Sequence, residues 1–228
     1  MAKTLTKKFW IFVILAIFVM CFLVVICLCF KQCSGKPDIN NKFYLVYADK
    51  NTKLATVQKI AEEVELRGGA GNIYSVGDMK YVVLSAYCSY DECRAVVNNI
   101  KQEYHNCGIL ELDCSVARNK KIDKNAQNYC KKLSELCKFL CYCSIDYDLN
   151  KISIGEVGRK MVGYRQTFLL YSDNMQDNNL QFFSSAELVV SYIDSFYHNV
   201  FVSAKQNVYI KKLAFWCISE LYQVTNLL

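Results

Sequence analysis

Proline is almost missing from this chain: Pro37 is the only one among 228 residues. A Pro-rich stalk is therefore excluded, and the linker near Pro37, residues 31 to 42, is expected to be short. Histidine is nearly as scarce, with His105 and His198 far apart in sequence. No Ser-His-Asp grouping can be drawn from two isolated histidines, and a Cys-His nucleophile would need one of them beside a cysteine by chance. Asp146 and Asp148 lie two apart in a segment that reads as a loop, and no facing carboxylate completes an acid-base pair. The expectation is a protein that is not an enzyme and carries no cofactor.

Glycine is thin as well, nine in all, and four of them fall in "RGGAGNIYSVGDMKYVVLSAY", residues 67 to 87. A dinucleotide site needs a strand, then glycines, then a helix start. Here the order is reversed. Leu54, Val57, Ile60, Ala61 and Val64 fall at helical spacing before the glycines, and two strand-like runs follow them. No Lys-Ser or Lys-Thr pair follows to make a P-loop. Gly68 and Gly69 sit where a helix needs a left-handed cap, which glycine adopts without a Cβ clash. The stretch is expected to turn a corner and not to cradle phosphate.

Charge is missing from residues 9 to 30, "FWIFVILAIFVMCFLVVICLCF". As a helix this run would be about 33 Å long, enough to cross a hydrocarbon core of roughly 30 Å. It is longer than a signal-peptide core and ends without small residues of the A-x-A kind. The residues preceding Cys21, Cys27 and Cys33 are Met20, Ile26 and Gln32, too large for a lipobox. The run reads as an uncleaved transmembrane signal anchor, with residues 1 to 8 as a cytoplasmic tail. Lysines 3, 7 and 8 before it are nearly balanced by lysines 31, 36 and 42 after it, and the short basic tail is the cheaper part to leave inside. That places the C-terminal part outside the cell, with the bilayer as a partner. The net charge of +6 is spread along the chain and reads as a solvated surface.

Cysteine, by contrast, is abundant, at thirteen. Three lie inside the apolar run. Of the other ten, Cys93 shares a stripe with Val96, Val97 and Ile100, and Cys130, Cys137 and Cys141 share a face with Leu133 and Leu140. Such placement suits small core residues better than a disulfide framework, so most are expected unpaired. "CKFLCYC", residues 137 to 143, would supply one zinc-type pair, but no second pair is available, so no metal is expected.

Residues 43 to 113 contain a repeat. A shift of 37 positions lays Tyr44 on Tyr81, Ile60 on Val97, Gly71 on Gly108 and Ile73 on Leu110. Each half reads strand, helix, strand: "FYLVYA", residues 52 to 67, "AGNIYS"; then "KYVVLSAY", residues 89 to 104, "CGILELD". "VGD" at 76 to 78 turns between the halves, and Ser89 with Glu92 reads as a capping box. The sum is a βαββαβ unit, a four-stranded sheet with two helices. Strand alternation separates Phe43, Leu45, Tyr47, Tyr81 and Val83, expected to face those two helices, from Tyr44, Val46, Val82 and Leu84 on the other side. Both sets are apolar, which predicts a sheet covered on both faces.

The aromatic-Tyr-x-Val strand start, the helix ending in glycine and the Tyr-Val-Val strand before a Ser-x-x-Glu helix together resemble the sporulation-related (SPOR) domain. The family pattern Y-x-V-x-V-G corresponds here to "YLVYA" and "YVVLSA", with Ala48 and Ala86 where the family ends its strand in glycine. "RGGAGNIY" and "GDMKYVVLSAY" resemble SPOR-like domains of membrane proteins of Firmicutes. The resemblance covers 43 to 113. It implies binding of peptidoglycan glycan strands by an envelope protein in division or sporulation. Carried onto this chain, the glycan-binding positions are Tyr44, Val46, Asn72, Tyr74, Val82 and Leu84, although the family tends to be polar where Val46, Val82 and Leu84 stand. The alternative is a non-catalytic envelope scaffold that has lost glycan binding and packs against its own helices or another envelope protein.

Residues 120 to 228 read as mainly helical. Ile122, Ala126, Tyr129, Leu133, Leu136 and Leu140 mark the first helix, and a polar start at Asn150 and Ser153 leads into the second. Ser184 and Glu187 suggest a capping box before the third, and residues 206 to 226 form the last. These helices are expected to cover the second face of the sheet. An aliphatic sheet face lacks the basic stripe and stacking aromatics of a nucleic-acid binder, so no nucleic-acid partner is expected. The fold class expected is α+β: an N-terminal transmembrane helix, the SPOR-like sheet with two helices, then the helical region.

Overall fold

The computed structural model describes residues 41 to 115, 124 to 175 and 180 to 227. The first half is β1 (Lys42–Asn51), α1 (Leu54–Leu66), β2 (Asn72–Val76), β3 (Met79–Tyr87), α2 (Tyr90–Ile100) and β4 (Gly108–Asp113). The four strands form one antiparallel sheet in the order β2-β3-β1-β4. The second half is α3 (Lys124–Asp148), α4 (Ile154–Met175), α5 (Leu180–Val200) and α6 (Gln206–Leu227).

The transmembrane start of the expected fold class is corrected. Among the described residues the chain is α+β with six helices and a four-stranded antiparallel sheet, and no helix is long and apolar enough to cross a membrane. Their length alone would allow it, but polar and charged residues lower their hydropathy, as at Lys131, Lys132, Glu135 and Lys138 of α3. Residues 9 to 30, where the span was expected, lie outside the described residues.

The glycine corner is a helix ending. Gly68 stands at φ +90°, its N–H donating to Glu65 O at 3.1 Å, while Gly69 N–H donates to Val64 O at 2.9 Å. These two bonds close a Schellman motif and satisfy carbonyls that the end of α1 would otherwise leave free. Gly77, at φ +56°, makes the tight turn between β2 and β3. The helix starts differ from expectation. Ser89 caps α2 without a side-chain hydrogen bond, and Ser184 lies inside α5, which begins at Leu180. The reciprocal capping box is at the start of α4 instead, where Ser153 N–H donates to Glu156 Oε2 at 2.8 Å and Glu156 N–H returns to Ser153 Oγ at 3.3 Å.

Both faces of the sheet are buried, with the assignment of faces reversed from that expected. Val82 and Ala48 pack under α1 with Val57, Ala61 and Val64, and Val46 packs under α2 with Cys93 and Val97. Phe43, Leu45, Val83, Ala86 and Leu112 face the other way, into one core with the C-terminal helices. Alternation along a strand sorts side chains into two sets but cannot say which set meets which layer when both are apolar. A bulge adds to this. Val46 pairs with Ser85 and Tyr47 with Val83, so Leu84 is skipped and Val83 and Ala86 end on one face.

Helices α3 and α6 lie against the sheet, α5 packs on α6, and α4 packs on α5. Tyr129 of α3 anchors the helical layer. It is fully buried, its rim ringed edge-on by Phe168, Tyr171 and Phe182, and its hydroxyl hydrogen-bonds Ser185 Oγ at 2.5 Å. Replacing Phe43 by Ala should open a cavity between sheet and helices and cost about 3–5 kcal/mol in urea unfolding. Leu180→Ala, at a side chain 74% exposed, should stay within about 0.5 kcal/mol.

Candidate functional site

The six positions carried over from the resemblance do not form one surface. Val46 and Val82 are fully buried beneath α2 and α1. Leu84, half-buried at the bulge, touches both of those clusters. Tyr44 packs on the α2 side and meets Tyr90 edge-on, centroids 5.7 Å apart. Tyr74 is on the opposite face, edge-on to Phe215 of α6 at 6.1 Å, and burial pushes its hydroxyl up from the usual tyrosine range. Asn72 pairs with Val83 across β2 and β3, and its Oδ1 is buried without a hydrogen-bond partner. Two helical layers thus separate residues that the resemblance would place on one binding face.

The chemistry-bearing side chains are likewise dispersed. His105 is exposed in the turn after α2, and His198 is exposed in the last turn of α5. Asp146 and Asp148 lie in the last turn of α3 and not in a loop. Asp148 is held by Lys211 Nζ at 3.2 Å and accepts a hydrogen bond from Asn207 Nδ2. Among the described residues no three His, Cys, Asp or Glu side chains gather at metal-binding distances.

All nine cysteines in the described residues are free thiols; Cys33 lies outside them. Burial raises Cys93, Cys114, Cys130 and Cys143 to about 12, and Cys137 and Cys217 are raised too. These thiols are small core residues, inert because a thiolate would be desolvated. Cys88, at the end of β3 and half-buried, is the exception. A hydrogen bond with the buried Cys141 thiol of α3 holds it below the usual thiol value, and Lys138 assists. No base accompanies it that would make it a catalytic nucleophile: the nearest charges with an influence are Lys138 and Glu92, the second of which opposes ionisation.

One polar cleft stands out. It has a volume of about 450 Å³ and lies where the C-terminal ends of α1 and α3 meet the start of α6. Lys205 Nζ donates to Leu66 O and Lys211 Nζ to Gly68 O, each at 2.9 Å. The Schellman corner thus gains lysines at its carbonyl end, where cations suit the helix dipole. Lys212 adds an ion pair to Glu65 at 2.6 Å. The sequence offered little route to this cleft, because its walls come from segments far apart in the chain. The one local signal was the Gly68 cap.

No protein-family model, curated protein or solved structure matches the chain, so the likeness to the SPOR domain rests on the residues quoted above. Iodoacetamide at neutral pH should label Cys88 before any other described cysteine, read by peptide mass spectrometry. Equal or faster labelling of Cys107, the other half-buried thiol but one raised by burial, would contradict the assignment.

Proposed function

We propose that the protein is a non-catalytic scaffold of the cell envelope, in which a SPOR-like sheet serves as a structural platform and no longer as a glycan-binding surface. The observation that carries this reading is the closure of the sheet. In a split βαβ unit two helices cover one face and leave the other free for a ligand. Here that other face holds Phe43, Leu45 and Val83, each fully buried against α3 and α6. Burying each of these side chains contributes roughly 1.5–3 kcal/mol. A glycan strand would have to displace the helices before it touched the sheet, and shallow sugar contacts return less than that displacement costs. Of the remaining candidates, Tyr44 and Leu84 are half-buried against α2, while Asn72 and Tyr74 are half-buried on β2, Tyr74 against the core shared with the C-terminal helices.

The dispersal of histidines and carboxylates supports a binding role over catalysis, since acid-base work needs paired groups within hydrogen-bond reach. The partner on this reading is another envelope protein. Co-sedimentation of the full-length chain with purified peptidoglycan, with and without amidase treatment, tests the proposal. The expected result is no more protein in the pellet than for a non-binding control. Pelleting that increases on amidase-treated glycan and drops at least tenfold with Tyr44→Ala would restore the glycan-binding reading.

A further inference from the structure

Two thiols meet across the seam between the sheet and α3, and the scaffold reading uses neither. Cys88 directly follows β3, is half-buried, and packs against the core that contains Cys141 of α3. The Cys141 thiol donates a hydrogen bond to the Cys88 sulfur, which lowers Cys88 and raises Cys141. Lys138 and Tyr142, exposed on α3 to either side of Cys141 in sequence, interact electrostatically with Cys88. Cys88 is thus open to solvent at the end of β3, whereas Cys141 is only 1% exposed.

The neighbouring thiols each lack one half of this arrangement. Cys107 is half-buried, but its thiol donates to Val97 O at 4.0 Å and not to another cysteine. Cys93 is fully buried, and its thiol is directed to Tyr44 O at 3.8 Å. Cys137, one turn before Cys141 on α3, is fully buried as well. Oxidants select thiols by exposure and thiolate character, and a second thiol beside the first lets oxidation stop at a reversible disulfide. Cys88 combines the exposure with the adjacent thiol. Two thiols already in hydrogen-bond contact are also the pair whose bond closure asks for the least backbone movement.

We propose that Cys88 and Cys141 form a site of reversible modification by hydroperoxides, a dithiol that closes into a disulfide between β3 and α3. The Cys88 sulfur attacks the terminal peroxide oxygen, the O–O bond breaks, and the leaving oxygen takes the Cys88 proton as water or an alcohol. Cys88 is then a sulfenic acid. The Cys141 sulfur attacks the Cys88 sulfur, an S–S bond forms, and the sulfenic hydroxyl leaves as water with the Cys141 proton. In sum the two thiols lose two electrons and two protons, which the peroxide gains. An external dithiol reverses the reaction by exchange. Burial shields Cys141 from the oxidant, so it reacts only through Cys88. The bond joins the two layers whose contact closes the sheet, and oxidation therefore fastens the fold.

Treating the purified full-length chain with one equivalent of hydrogen peroxide, then alkylating in denaturant and mapping peptides by non-reducing mass spectrometry, tests the pair. The expected first product is a linked peptide joining Cys88 to Cys141, lost on treatment with dithiothreitol. Cys141→Ala removes the resolving thiol and keeps a small side chain, so the sulfenic acid should persist. Its dimedone adduct on Cys88 should be at least tenfold more abundant than in the wild type. In Cys88→Ala, Cys141 should stay as fully alkylated as in untreated protein. A disulfide from Cys88 to any other cysteine, oxidation of Cys107 ahead of Cys88, or dimedone labelling indifferent to Cys141→Ala would overturn the proposal. Oxidation of Cys141 in Cys88→Ala would overturn it too.

Discussion

The fold depends on a sheet with no polar face. In β1 and β3 both alternating sets of side chains are apolar, so leaving either side to water would expose a continuous hydrophobic patch. Two helices from the same unit cover one side, and α3 and α6 must cover the other. The remaining helices follow from that requirement: α5 packs on α6, and α4 on α5, each burying the stripe that the previous layer leaves. Removing the α3–α6 layer would leave Phe43, Leu45, Val83, Ala86 and Leu112 exposed together.

The same constraint shapes what the molecule can do. A sheet closed on both sides offers no open platform for a polymer, and its aromatic residues are spent on internal contacts, as Tyr74 is on Phe215 and Tyr44 on Tyr90. Polar chain ends gather at the seams between layers. The α1 corner is such a seam. Its Schellman turn presents carbonyls, the start of α6 brings lysines to meet them, and a polar cleft results. Lys205 and Lys211 thus fasten the start of α6 to the end of α1.

Much of the local structure was legible in the sequence because periodicity and glycine act locally. Val57, Ala61 and Val64 mark the buried stripe of α1, and Gly68 marks its end. The orientation of the sheet was not legible, since Val46 and Val82 are as apolar as Leu45 and Val83 and alternation alone cannot label the faces. The bulge that skips Leu84 has no glycine or proline to announce it. Ser184 and Glu187 imitate a capping box inside α5, whereas Ser153 and Glu156 form a true one, because tertiary context decides where a helix begins. The cleft was hidden for a simpler reason: the contacts that build it join residues 139 and 143 positions apart.

Hydrogen exchange of the full-length chain, followed by mass spectrometry under native conditions, tests the closed sheet most directly. If α3 and α6 cap the sheet permanently, amides of β3 and the centre of α6 will exchange together, at the rate set by global unfolding. Exchange of α6 at least a hundredfold faster than β3, with β3 still protected, would mean that the helices leave the sheet in the native state and would contradict the account.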